Sequence, residues 1–176
     1  MLTINPESKS EWVERAAELL CAAARTAPKG RGRDLLVTAV VSGVELGRMA
    51  DTMRMIAERD QVGFFARDAG NLALASALVL IGTRMEPLGL PHCGYCGFAD
   101  CAAMQAAGAT CAFATGDLGI AVGSAVSRAA DLRLDNRVMY SAGKAAIEMG
   151  LLGEGVRIAY AIPLSVSGKS PFFDRG

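Results

Sequence analysis

Leu35-Leu-Val-Thr-Ala-Val-Val-Ser-Gly-Val-Glu-Leu-Gly-Arg-Met-Ala-Asp-Thr-Met-Arg-Met-Ile-Ala-Glu-Arg59 changes its period once, and that change decides the fold class. Leu35 to Val41 is rich in β-branched residues, has strand length and is closed by Ser42–Gly43. From Val44 to Arg59 the apolar positions Leu46, Met49, Met53 and Ile56 fall on one face of a helix. A strand handed directly to an amphipathic helix belongs to a chain in which helices cover a sheet.

The same alternation continues outward. Upstream, a helix is predicted from about Pro6 to Thr26. Asn5 and Pro6 supply a cap and first position, with a rival capping box at Ser8 and Glu11, and the apolar stripe is Trp12, Ala16, Leu19, Leu20 and Ala23. A basic, glycine-rich loop follows, Pro28-Lys-Gly-Arg-Gly-Arg33. Downstream, Val62 to Leu74 is ambiguous between helix and loop, and Ala77 to Thr83 reads as a buried strand. A helix from about Gly116 to Leu134 carries small residues at Gly119, Gly123 and Ser127 beside a larger stripe of Leu118, Val122, Ala125, Ala129 and Leu132. Close helix packing and a subunit interface both explain that stripe. Arg137 to Tyr140 is predicted as a short strand, Lys144 to Leu151 as a helix ended by Gly153, and Val156 to Leu164 as the last strand.

The 176 residues suit one domain, 1–176, with no internal repeat. Formal net charge is zero, which argues against a nucleic-acid partner. Met1 to Ser10 has no apolar signal-peptide core, and the run Leu72 to Ile81 is too short to span a bilayer, so a cytoplasmic protein without a membrane partner is expected. Apolar content of 52% with few aromatics implies an alanine- and leucine-rich core and hints at a buried subunit interface.

The chemistry concentrates in residues 91–111, PHCGYCGFADCAAMQAAGATC. Cys93, Cys96, Cys101 and Cys111 are spaced C-x2-C-x4-C-x9-C. In a reducing compartment such a group points to metal or redox chemistry rather than disulfides. Four thiolates suit an iron–sulfur cluster, most simply 4Fe–4S. Gly94 and Gly97 let the backbone fold tightly and offer N–H groups to sulfur. Cys101 opens a short helix from Asp100 to about Ala107, and Gly108 returns the chain to Cys111. Zinc is the alternative metal, although structural zinc sites usually come as two separated cysteine pairs. Redox-sensing or ordinary buried thiols are a third reading, and His92, which beside a proline reads first as exposed loop, is the alternative to Cys111 as fourth ligand. Cys21, among alanines, reads as a core residue.

A second cluster is basic. Arg25, Lys29, Arg31 and Arg33 surround two glycines, and Lys169 and Arg175 lie in the tail. Guanidinium groups and free N–H groups in such a loop suit a phosphate, and the competing reading is a solvated loop. Only one histidine is present, and no Walker, G-x-G-x-x-G or H-E-x-x-H pattern occurs. Asp68 and Asn71 beside Arg67 either line a site or, the favoured reading, cap a helix and form a turn, and Asp117 is expected at a helix N-terminus.

The segment HCGYCGFADCAAM resembles the one that defines the uncharacterised ferredoxin-domain-containing proteins. RTAPKGRGRDLL, FFARDAGN, ALVLIGT and CAFATGDLGIAVGSAVSRAADL resemble that family's other blocks, from about Cys21 to Arg175. The scaffold is similar to that of flavin-dependent nitroreductases. Ala24-Arg-Thr-Ala-Pro28 before a strand, Asp117-Leu-Gly-Ile-Ala121 in a helix and Ala161-Ile-Pro-Leu-Ser165 closing a strand follow that family's block order. The resemblance implies an α+β nitroreductase-like fold with a central mixed sheet flanked by helices and a cysteine-rich insertion at 91–111. It also implies a homodimer with FMN at the subunit interface. The chain departs from that pattern at Lys29, Gly32 and Ser165 and has no N-terminal R-x-S-x-R phosphate grip. The expected function is therefore an iron–sulfur electron-transfer protein, an oxidoreductase if it turns over substrate. The alternatives are a binding module with a structural metal and an anion or nucleotide pocket, and a flavin reductase.

Overall fold

The structure is a computed structural model and describes residues 9–173. The expected caps at Asn5, Pro6 and Ser8, and Arg175 in the tail, lie outside the described residues. Helix α1 spans Lys9–Thr26, strand β1 Leu36–Ser42, α2 Val44–Arg59, α3 Gly63–Leu72 and β2 Ala77–Arg84. Then come α4, Cys101–Ala106; α5, Ala112–Asp131; β3, Asp135–Asn136; α6, Tyr140–Glu148; and β4, Val156–Ser165. A 3-10 turn at Gly30–Gly32 links α1 to β1.

The strand order is β1-β2-β4-β3. Leu36 pairs with Thr83 and Ser42 with Ala77, while Ala77 pairs with Leu164 and Ile81 with Tyr160. Every pairing among the described residues is antiparallel, so the α+β class holds and the expected mixed sheet is corrected to an antiparallel one. The reason is that β2 lies between the antiparallel β1 and β4 although three helices separate β2 from β4 in the chain. Helices between strands do not by themselves set strand direction.

Strand β2 is buried from Ala77 to Thr83 because both its faces are covered. Leu78 and Leu80 point into a core with Met49, Met53 and Ile56 of α2, Phe65 and Leu72 of α3, and Ala142 and Ala146 of α6. Ala77, Val79 and Ile81 alternate into a second core with Val13, Ala17 and Leu20 of α1 and Leu118, Ala121 and Ala125 of α5. The period of two along one strand thus builds a three-layer sandwich.

Three boundaries differ from expectation. The strand expected at Arg137–Tyr140 is instead Asp135–Asn136, followed by a single bridge in which the Met139 N–H donates to the Ala161 carbonyl at 2.7 Å. That bridge holds Met139 extended, so α6 starts at once at Tyr140 rather than at Lys144. Gly143 lets α6 lie against β4, because a Cβ there would stand 2.2 Å from the Ala159 carbonyl oxygen. Helix α5 begins at Ala112 rather than near Gly116, with Cys111 extended as its cap. Asp68 is no cap. It sits inside α3, buried, where it accepts the Ser141 hydroxyl at 2.6 Å and the Arg67 guanidinium at 2.8 Å. Asn71, in the last turn of α3, donates to the Phe172 carbonyl at 3.5 Å.

Candidate functional site

Residues 85–111 leave the sheet after β2 and return at the start of α5, forming a third, small apolar cluster. Leu88, Met104, Cys111 and Ala114 are its buried members, with Cys96, Phe98 and Phe113 packed around them. Gly94 and Gly97 take φ of +67° and +82°, and the Gly97 N–H closes a turn on the Gly94 carbonyl at 2.9 Å. Only glycine adopts such angles readily, so the CGYCG sequence fixes this turn. Asp100 then caps α4 by accepting the Ala103 N–H at 2.8 Å, which makes Cys101 the first residue of that helix. Cys111 occupies the cap position of the 20-residue α5. Two of the four thiols therefore stand at helix starts, where backbone N–H groups are free to meet a negative sulfur.

Cys93, Cys96, Cys101 and Cys111 all line one cavity of about 130 Å³, together with His92, Asp100 and Met104. Cys111 is buried and the other three are half-buried, and no cysteine is in a disulfide. Among the described residues, no three His, Cys, Asp or Glu side chains are drawn close enough to hold a metal ion. The donor set nonetheless fits a thiolate-bound metal in kind: four soft ligands line one cavity beside an apolar cluster.

A larger cavity, about 420 Å³, lies directly beside it. Pro28, Lys29 and Gly30 form one side, Gly116, Asp117 and Ile120 of α5 another, and Tyr95 and Phe113 the side toward the thiols. The rings of Tyr95 and Phe113 are stacked, with centroids 5.5 Å apart and planes inclined by 8°. The Asp117 carboxylate accepts the Gly30 N–H, at 3.1 Å to one oxygen and 3.0 Å to the other. Sequence reasoning missed both contacts. The signals were an aromatic between two cysteines and a carboxylate one turn into a helix, and neither announces its partner.

Lys29, Arg31 and Arg33 share one loop and Arg25 lies in the last turn of α1, and all four side chains are bonded to groups of the chain itself. Arg25 donates to Asp34 at 2.9 Å and to the Leu36 carbonyl at 2.7 Å. Lys29 Nζ donates to the carbonyls of Ala24, Arg25 and Ala27 at the end of α1, at 2.9, 2.5 and 2.8 Å. Arg31 holds the Leu88 and Gly89 carbonyls, and Arg33 the Pro87 carbonyl and Glu86, so both fasten the loop to the start of the cysteine segment. Lys169 lies after β4, where its N–H donates to the Ser167 hydroxyl. Burial works to raise the Asp34 carboxyl, but the hydrogen bonds from Arg25 and the Leu36 N–H outweigh it and hold the group below its ordinary value. Burial pushes the Cys21 thiol up, against a weaker opposing bond with Thr38, as suits a half-buried residue on α1.

Residues 107–175 match the model of a family described as uncharacterized proteins containing a ferredoxin domain. The match takes in Cys111 and begins after the other three cysteines of the segment. A protein of Archaeoglobus fulgidus, described as uncharacterized, is 38% identical over 183 residues, covering 99% of this chain and 98% of that one. Among solved structures, an FMN-dependent nitroreductase from Mycobacterium smegmatis in complex with NADPH has a TM-score of 0.62 at 11% identity, covering 90% of this chain and 81% of that one. A nitroreductase with bound FMN from Desulfitobacterium hafniense has a TM-score of 0.60 at 17% identity, covering 89% and 79%. At these identities the likeness is one of fold: the chain is nitroreductase-like. No helix among the described residues is long and apolar enough to cross a membrane.

Proposed function

The chain belongs to the family of uncharacterized proteins containing a ferredoxin domain, and from that premise we propose that it is an electron-transfer protein whose four clustered cysteines bind a 4Fe–4S cluster. Family and fold fit a redox protein. The observation that carries the finer reading is that Cys93, Cys96, Cys101 and Cys111 line a single cavity although 18 positions separate the first from the last. Such a cluster, when bound, takes up or gives up single electrons. The chain's own part is to hold and tune it. The Gly94–Gly97 turn and the starts of α4 and α5 set Cys93, Cys96, Cys101 and Cys111 around the cavity, and the apolar residues Leu88, Met104 and Ala114 pack beside them.

The 420 Å³ cavity is the proposed place for the second redox group, for which FMN is the candidate. Its apolar and aromatic lining suits a planar ring system. Arg25, Lys29, Arg31, Arg33 and Lys169 are the groups proposed for a phosphate, which Lys29 would meet only on releasing the carbonyls of Ala24, Arg25 and Ala27. Arg31 commits only one terminal nitrogen to internal bonds, which leaves donors for an anion. On α5, Gly119, Gly123 and Ser127 form an exposed strip, and a Cβ at Gly116, Gly119 or Gly123 would meet nothing within 4 Å. That strip is the proposed contact between two copies of the chain. A cytoplasmic setting, which keeps thiols reduced, and an electron-transfer partner protein complete the reading.

The test is anaerobic purification with iron, acid-labile sulfide, zinc and released flavin measured on one sample. Four irons and four sulfides per chain are expected. Zinc alone, or no metal after iron and sulfide reconstitution, would overturn the reading in favour of a binding module with a structural site or none.

A further inference from the structure

Two short stretches of backbone build both cavities. Residues 93–96 give Cys93, Gly94 and Cys96 to the thiol-lined cavity and Tyr95 to the larger one. Residues 111–113 give Cys111 and Ala112 to the first, and Ala112 and Phe113 to the second. The partition between the cavities is therefore the same peptide that carries three of the four thiols. On the side away from the thiols it is faced by the stacked pair Tyr95–Phe113.

Tyr95 is 77% exposed, so little beyond that stack and its own backbone orients the ring. The backbone is the tight turn closed between Gly94 and Gly97, with a cysteine on each side of the tyrosine. Whatever fixes Cys93 and Cys96 fixes the Cα of Tyr95. Phe113 is tied in the same way to Cys111, the cap of α5.

We infer that Tyr95 is a positioning residue that couples the two cavities: engagement of Cys93 and Cys96 holds its ring against Phe113 as a platform for a planar heteroaromatic ligand in the 420 Å³ cavity. The inference rests on the proposed metal site. The ligand class follows from the lining. An aromatic plane extends the Tyr95–Phe113 stack. One turn along α5 from Phe113, the Asp117 carboxylate has more acceptor positions than the Gly30 N–H uses, which suits N–H groups on a heteroaromatic edge. A ring already held in place has less freedom to lose when ligand arrives, so a loaded thiol site strengthens ligand binding. By linkage, ligand must strengthen metal retention by the same factor.

The experiment uses the full chain with FMN as the probe. Equilibrium dialysis gives the FMN Kd for metal-free protein and for protein reconstituted with iron and sulfide. Wild type, Tyr95→Phe and Tyr95→Ala are compared, with iron and sulfide assayed in every sample. Reconstitution is expected to tighten FMN binding on the order of tenfold in wild type and Tyr95→Phe, and by no more than about twofold in Tyr95→Ala at equal iron content. Equal affinities for loaded and metal-free wild type overturn the inference, as does full tightening in Tyr95→Ala or the absence of FMN binding in both forms. Failure to take up iron appears in the metal assay itself. It overturns the underlying metal reading, and this inference with it.

Discussion

The carboxylate of Asp117 receives the backbone N–H of Gly30 at both oxygens, at 3.1 and 3.0 Å, and so joins the second turn of α5 to the loop that ends α1. These two residues stand 87 positions apart in sequence. Their contact joins the basic loop to the start of α5 as adjoining walls of one cavity, which Tyr95 of the cysteine segment also lines.

Removing that acceptor should loosen the cavity before it unfolds the domain. Asp117→Ala leaves a partly buried N–H without its partner, a loss of about 1–3 kcal/mol. Asp117→Asn keeps an acceptor and should lose clearly less. Urea denaturation measures both variants, and an Asp117→Ala midpoint equal to that of wild type would show that the contact contributes nothing.

Two glycine-to-alanine changes should separate close packing from open surface. At Gly143 the new Cβ would stand 2.2 Å from a backbone carbonyl oxygen of β4, which only backbone movement can relieve. The expected loss is roughly 3 kcal/mol or more. At Gly123, inside exposed α5, a Cβ meets nothing within 4 Å. There the helix propensity of alanine should stabilise the monomer by about 0.5–1 kcal/mol. Thermal melts of the two variants should move in opposite directions, and a neutral Gly143→Ala would contradict the packing of α6 on β4.

How legible this was depended on the range of the interactions involved. The passage from Leu36–Ser42 to Val44–Arg59 is written in local periodicity, and the structure follows it. The turn at Gly94 and Gly97 and the short helix opened by Cys101 are equally local and were readable. Strand direction was not, because β2 meets β4 only after three helices intervene, and nothing in either strand states its neighbour. The inward turn of Lys29 was hidden for a similar reason: a lysine beside glycines reads as solvated until the carbonyls at the end of α1 are seen around its ammonium. Asp68 looked like a cap because Ser141, its buried partner, lies 73 residues away.

The ion pair of Arg25 with Asp34 should make part of the acid sensitivity traceable to one residue. The Asp34 carboxyl is held below its ordinary value of 3.8 in the folded chain. A depressed carboxylate contributes stability that is fully present above its unfolded value and is lost as pH falls through the folded one. The melting-temperature gap between wild type and Asp34→Asn should therefore be constant above about pH 5 and close below about pH 4. A gap that widens on acidification would reverse the sign and refute the assignment. Both side chains are partly exposed, so added salt should narrow the gap at neutral pH.

Replacing one sulfur should distinguish a metal ligand from a packing residue. Cys96 is half-buried at the margin of the Leu88–Met104 cluster, so serine there should change the stability of the metal-free protein by no more than about 1 kcal/mol. A serine hydroxyl is a much poorer ligand than a thiolate for iron. Cys96→Ser should accordingly fold and melt like metal-free wild type, yet fail to retain iron and sulfide after reconstitution and lose its one-electron redox signal. Cys21→Ser, on α1 and away from the cavity, should retain both, which controls for loss of any thiol. If Cys96→Ser keeps a full complement of iron with an unchanged potential, the four cysteines do not act as one donor set. If the metal-free variant instead unfolds, Cys96 holds the segment together by packing, and the cavity it lines is structural.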